Sequence, residues 1–131
     1  MEYWIVIKEE RIGPLTFEEL KEYDLKGIMH CYSGSVEMAR ELCKIGFYLG
    51  IGGIATFKNA VKLIDVIKNI DLEYIVLETD STYLTPEPYR GRVNEPANVS
   101  VILQKICDVK ALEYKDACDV TTMNVLRLFD K

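Results

Sequence analysis

The chain has 131 residues, 49% of them hydrophobic and 28% charged, with 21 acidic against 16 basic side chains for a net charge of −5. That length suits a single domain spanning residues 1–131, and that balance excludes an intrinsically disordered chain. The acidic surplus excludes broad electrostatic adhesion to nucleic acid, although bound cations can supply positive charge at one place. No apolar run approaches the roughly 20 residues of a membrane-spanning helix. The opening stretch MEYWIVIKEERIG lacks the basic lead and small-residue cleavage site of an export signal, so a cytoplasmic protein without a membrane partner is expected. The four cysteines show no C-x-x-C pairing and there is one histidine, which argues against a structural zinc site.

In chain order, YWIVI (Tyr3–Ile7) reads as a strand buried on both faces. Thr16-Phe17-Glu18-Glu19 reads as a capping box opening a helix that closes near Lys26-Gly27, with Leu15 and Leu20 as its hydrophobic staple. GIMHCY (27–32) is a second strand, broken by Ser33-Gly34-Ser35 into a helix whose stripe is Val36, Ala39, Leu42 and Cys43. Gly46 stops that helix, and FYLGI (Phe47–Ile51) is a third strand closed by Gly52-Gly53. Thr56 is expected to cap the next helix, with Phe57, Ala60, Val61, Ile64 and Ile67 on its buried stripe. YIVL (74–77) is a fourth strand. Pro96 then opens a helix carrying Val99, Ile102, Leu103 and Ile106, and two short helices over 112–118 and 121–129 end the chain. This alternation predicts an α/β fold of about four parallel strands.

In such folds, residues just past the carboxyl ends of the strands face the ligand crevice. The rule selects Lys8, His30, Gly52-Gly53 and the segment Glu78 to Asp80. His30 and Asp80 suit half of a divalent-metal hydrolytic centre, where a metal activates water and a carboxylate can take its proton. Each residue taken alone also has an ordinary reading. A strand-end histidine can be a hydrogen-bonded structural residue, Glu-Thr-Asp can cap a turn, and Arg90 and Arg92 can be solvated surface charges.

The stretches HCYSGS (30–35), FYLGIGGIATFKNA (47–60), LETDSTYLTPEPYRGRVNEPANV (77–99) and TTMNVLRLF (121–129) together resemble the TatD-like metal-dependent deoxyribonucleases. The resemblance implies an amidohydrolase-type (β/α)8 barrel, of which this sequence supplies the C-terminal half. It implies a divalent metal cofactor and DNA as substrate. His30 and Asp80 match metal ligands of that family, and Asp80 is also its water-activating catalytic residue. Arg90, Asn94 and Glu95 match a loop that binds phosphate and shapes the site. Ser81 and Thr82 stand where the family has Cys and Pro, and Tyr32 stands where it has Phe. The family also carries H-x-H on its first strand, a bridging glutamate on a middle strand and a histidine on its fifth. With a single histidine this sequence cannot supply the first motif, and Tyr3–Ile7 aligned as the fifth strand places Lys8 at the last position. A lysine ammonium has no lone pair for a metal. The expectation is therefore a truncated hydrolase with impaired activity that forms a homodimer or takes a complementing N-terminal half. The alternatives are an inactive remnant, and a metal hydrolase of a small ester or amide.

Overall fold

The computed structural model describes residues 2–130. Five strands and five helices are named in chain order: β1 (Tyr3–Ile7), β2 (Glu10–Leu15), α1 (Phe17–Lys21), β3 (Gly27–Met29), α2 (Val36–Lys44), β4 (Phe47–Ile51), α3 (Val61–Asn69), β5 (Ile75–Leu77), α4 (Val99–Lys110) and α5 (Tyr114–Phe129). Strands β3, β4 and β5 form a parallel sheet in that order, joined by α2 and α3 as crossover helices.

The first strand departs from expectation. YWIVI pairs antiparallel with β2 as a separate hairpin, so the parallel sheet has three strands rather than four. Lys8 and Glu9 form the two-residue turn with φ of 49° and 70°, the left-handed pair that matches the strands' own twist. Lys8 is therefore an exposed turn residue, not a strand-end neighbour of His30, and its placement at a missing ligand position is corrected. Trp4 lies on an exposed face of the hairpin under the guanidinium of Arg11, 4.0 Å from the ring centroid.

Side-chain alternation splits the parallel sheet into two unlike faces. Leu49, Ile51 and Ile75 are fully buried and pack with Ala39, Leu42, Val66, Ile67, Ile102 and Ile106 of the helices. Register places Ile28, Tyr48, Gly50 and Val76 on the other face, the side to which His30 and Glu78 also belong by alternation. Ile28 is 37% exposed there. Gly50 and Val76 on that face are buried, so its exposure is at the β3 edge.

Three helix boundaries also differ. Thr16 does form the capping box, accepting from the Glu19 amide at 3.2 Å while Glu19 accepts from the Thr16 amide at 2.8 Å. That helix ends at Lys21, and Gly27 opens β3 instead of closing α1. Thr56 ends a 3-10 turn (Gly53–Thr56) rather than capping a helix, and α3 starts at Val61, which is 75% exposed. The buried stripe of α3 is Leu63, Val66 and Ile67. The two short final helices are one, because buried Thr121 turns its hydroxyl back onto the Ala117 carbonyl at 2.9 Å and caps nothing.

Buried Asn124 ties α5 to the sheet. Its amide donates to the carbonyls of Leu72 and Ile75 at 2.9 and 2.8 Å, and its oxygen accepts from Arg127 at 2.6 Å. Asn124→Ala strands both carbonyls and should lower unfolding free energy by about 2–4 kcal/mol in a denaturant titration. A change below about 0.5 kcal/mol would show the tie to be dispensable.

Candidate metal centre

Parallel strands bring their carboxyl ends to one rim. His30 follows β3 directly, and Glu78 follows β5 with its amide bonded to the Ile51 carbonyl at 3.1 Å. Across that rim His30 Nδ1 meets Glu78 Oε2 at 2.8 Å, and His30 Nε2 meets Asp80 Oδ1 at 3.2 Å. One ligand atom from each of His30, Glu78 and Asp80 lies within 4.8 Å of the others. The histidine side chain is 71% exposed and the two carboxylates 14% and 16%, so the cluster is open to solvent on the histidine side.

Glycines make room for this arrangement. A Cβ at Gly50 would stand 2.4 Å from Glu78 Oε2, and one at Gly52 would stand 3.2 Å from Asp80 Oδ2. A Cβ at Gly53 would be 2.1 Å from the Leu84 carbonyl oxygen, so the loop after Asp80 lies directly on the Gly52-Gly53 backbone. Cys31 and Asp80 hold φ of 49° and 53°, a left-handed conformation that costs non-glycine residues energy and clusters at functional sites.

The two carboxylates are not equivalent. Both Glu78 oxygens have partners, Oε2 on His30 and Oε1 on the Cys31 amide at 2.5 Å. Asp80 Oδ2 is buried and has no hydrogen-bond partner. A neutral ring with its proton on Nδ1, donated to Glu78, aims the Nε2 lone pair at Asp80 Oδ1. In that tautomer the Nε2 lone pair and Asp80 Oδ1, 3.2 Å apart, are both open to one cation. With bonds of roughly 2.1 Å, adjacent ligand atoms stand about 3.0 Å apart in an octahedral shell and about 3.4 Å apart in a tetrahedral one. The orphaned oxygen, the spacing and the donor set fit a divalent cation held by His30 and Asp80, with Glu78 orienting the imidazole.

Local charge agrees with that fit. Burial is the main cause raising the Glu78 carboxyl above its usual value, opposed by His30 and then reinforced by Asp80. The Cys31 thiol is raised by burial first and by the Asp80 and Glu78 charges after it. The rim gathers more negative charge than one imidazole offsets.

Asn94 and Arg90 lie elsewhere on the loop. Asn94 is 2% exposed and fully bonded within it, donating to Thr79 and Tyr83 carbonyls at 2.6 and 2.7 Å and accepting from the Glu95 amide and Asn98 Nδ2 at 2.9 and 3.0 Å. Its side chain shapes the loop and keeps no free donor for a ligand. Arg90 is exposed and lies on the Phe57 ring, 3.9 Å from the centroid, a stacking that leaves the guanidinium edge free for an anion. Glu95 is exposed. The residue that sequence reasoning left without a role is Glu78. The strand-end rule had reached it, but its hold on His30 emerges only when the two rims meet.

A family model described as TatD related DNase matches residues 8–130. The chain belongs to that family. It is 46% identical over 103 residues to an uncharacterized metal-dependent hydrolase of Bacillus subtilis, YabD, covering 79% of this chain and 40% of YabD. It is 39% identical over 111 residues to the Escherichia coli K12 hydrolase YcfH, also uncharacterized and metal-dependent, covering 85% of this chain and 42% of YcfH. The E. coli TatD homologue YJJV superposes with a TM-score of 0.79 at 28% identity, over 87% of this chain and 45% of YJJV. A TatD-family hydrolase from Entamoeba histolytica shares the fold, with a TM-score of 0.74 at 21% identity over 86% of this chain and 45% of that one. The chain thus spans less than half the length of these TatD relatives. Among the described residues no helix is long and apolar enough to cross a membrane.

Proposed function

We propose that this chain carries the C-terminal half of a divalent-metal phosphodiesterase site acting on DNA. The observation behind the reading is the His30–Glu78–Asp80 cluster with its buried, unpartnered Asp80 oxygen. A divalent cation at that cluster supplies Lewis-acid polarisation of a phosphoryl oxygen and activation of water. His30 and Asp80 would hold it, Glu78 would fix the imidazole, and Asp80 would take a proton from water. Arg90 and Glu95 are exposed on the loop that follows Asp80, and a guanidinium on that loop favours a phosphate over a neutral ester or amide.

The chain is, in this reading, half of a (β/α)8 barrel. The sheet face carrying Ile28, Tyr48, Gly50 and Val76 is the side that would line a closed barrel's interior, and the relatives are more than twice as long as the stretch they share with this chain. Its partner is a second copy or an N-terminal half that supplies further metal ligands. A single histidine in the whole sequence also favours a second reading, an inactive remnant. The test is cleavage of labelled DNA with Mg²⁺ or Mn²⁺, alongside light scattering of the purified chain. The proposal expects slow, cation-dependent cleavage by an associated species, at least about 100-fold weaker in Asp80→Ala. Equal cleavage by both proteins would refute the assignment, and no cleavage by any species would favour the remnant.

A further inference from the structure

A groove of about 780 Å³ lies outside the metal cluster, walled by Phe57, Lys58, Lys62, Asp65 and Lys68 around α3 and by Lys105 of α4. In a chain of net charge −5, four lysines against one acid reverse the sign of the surface at this place. Among the described residues none of the four ammonium groups is in an ion pair, and the Asp65 carboxylate takes the Asn69 amide at 3.1 Å instead. The groove therefore presents uncompensated positive charge.

A short segment of chain links the groove wall to the metal cluster. The segment from Gly52 to Phe57 touches Asp80 at one end and forms groove wall at the other. Thr56 Oγ1 accepts from the Glu87 amide at 2.8 Å, which pins the arginine-bearing loop along that segment, and Arg90 lies on Phe57. The four-residue 3-10 turn Gly53–Thr56, at a rise of about 2 Å per residue, spans roughly 8 Å between the two ends of that segment. The same loop exposes Tyr83 (78%) and Tyr89 (39%), the second with the Arg92 guanidinium 5.8 Å from its ring centroid. A cationic track beside exposed aromatic rings is the surface that grips single strands, with phosphates on lysines and bases stacked on rings.

We infer that this groove is an exosite for single-stranded DNA, holding the backbone of the strand beyond the nucleotide presented to His30 and Asp80. Its catalytic use rests on the phosphodiesterase reading, whereas its binding does not. The test is fluorescence anisotropy of a labelled single-stranded DNA oligonucleotide with the full chain in EDTA, across a salt series. Lys62→Glu/Lys68→Glu should weaken binding on the order of tenfold or more and flatten the slope of log affinity against log salt by about 1.4, for two lost phosphate contacts. Tyr83→Ala should weaken the single strand by roughly 5- to 100-fold and leave duplex binding unchanged. Lys115→Glu, which alters no groove residue, should bind as wild type. Circular dichroism should show the exposed-lysine variants folded. Wild-type affinity and slope in the Lys62/Lys68 variant would overturn the exosite, as would equal loss of single-strand and duplex binding in Tyr83→Ala. Strand binding that survives while Asp80→Ala leaves cleavage unaltered would refute the metal-site reading and leave the exosite standing.

Discussion

Asp80→Ala should lower the affinity of this chain for Mn²⁺ by about 100-fold or more in calorimetric titration, and Glu78→Gln by about 10- to 100-fold. The two expectations differ because the carboxylates play different parts. Asp80 offers an oxygen that no protein donor occupies, so its removal deletes a ligand outright. Glu78 has one oxygen on His30 and the other on the Cys31 amide, so its removal leaves the ligands but frees the imidazole to turn. Gln keeps one acceptor oxygen and cannot serve both donors, which makes it a sharper probe than a truncation that empties the space beside Gly50. Identical affinity in all three proteins would place any bound metal away from this rim.

Asn94→Ala should loosen the segment between Thr79 and Asn98 and cost about 2–6 kcal/mol locally, from four hydrogen bonds of about 0.5–1.5 kcal/mol each. The Thr79 and Tyr83 carbonyls lose their donors, and the Glu95 amide and Asn98 side chain lose their acceptor. Thr85 on the Arg92 carbonyl at 2.6 Å and the Asn94 amide on the Thr82 carbonyl at 3.1 Å remain, so the loop opens rather than detaches. Hydrogen exchange should quicken across residues 79–98 while α3 and α4 stay protected. Metal affinity should fall as well, because Asp80 sits at the root of this loop. Unchanged exchange there would mean that the remaining bonds and prolines hold the loop without the Asn94 side chain.

Parts of this architecture could be read directly from residue patterns. The capping box at Thr16 is a purely local bond pair, and FYLGI between Gly46 and Gly52 has both of its boundaries written as glycines. His30 and Asp80 were reachable because parallel strands deliver their carboxyl ends to one rim. What escaped depended on distant partners. YWIVI looks equally apt for a parallel core strand and a hairpin arm, and the Lys8-Glu9 turn lacks the Asn-Gly signal that would have separated them. Thr56 looks like a helix cap, but its hydroxyl serves Gly53 and Glu87, the second 31 residues away in sequence. The resemblance groups Asn94 with Arg90 and Glu95 on a loop that binds phosphate and shapes the site, and its burial behind four internal bonds is not visible in any local pattern. Glu78 was visible as a strand-end acid, but its orienting role is a relation between two strands that no local pattern records.

The most direct measurement is a crystal of this chain soaked in Mn²⁺, with anomalous diffraction locating the ion. The expected peak is bonded to His30 Nε2 and an Asp80 carboxylate oxygen, with Glu78 Oε2 still on His30 Nδ1. An ion bound elsewhere, or no ion at the rim when other sites on the chain are filled, would contradict it.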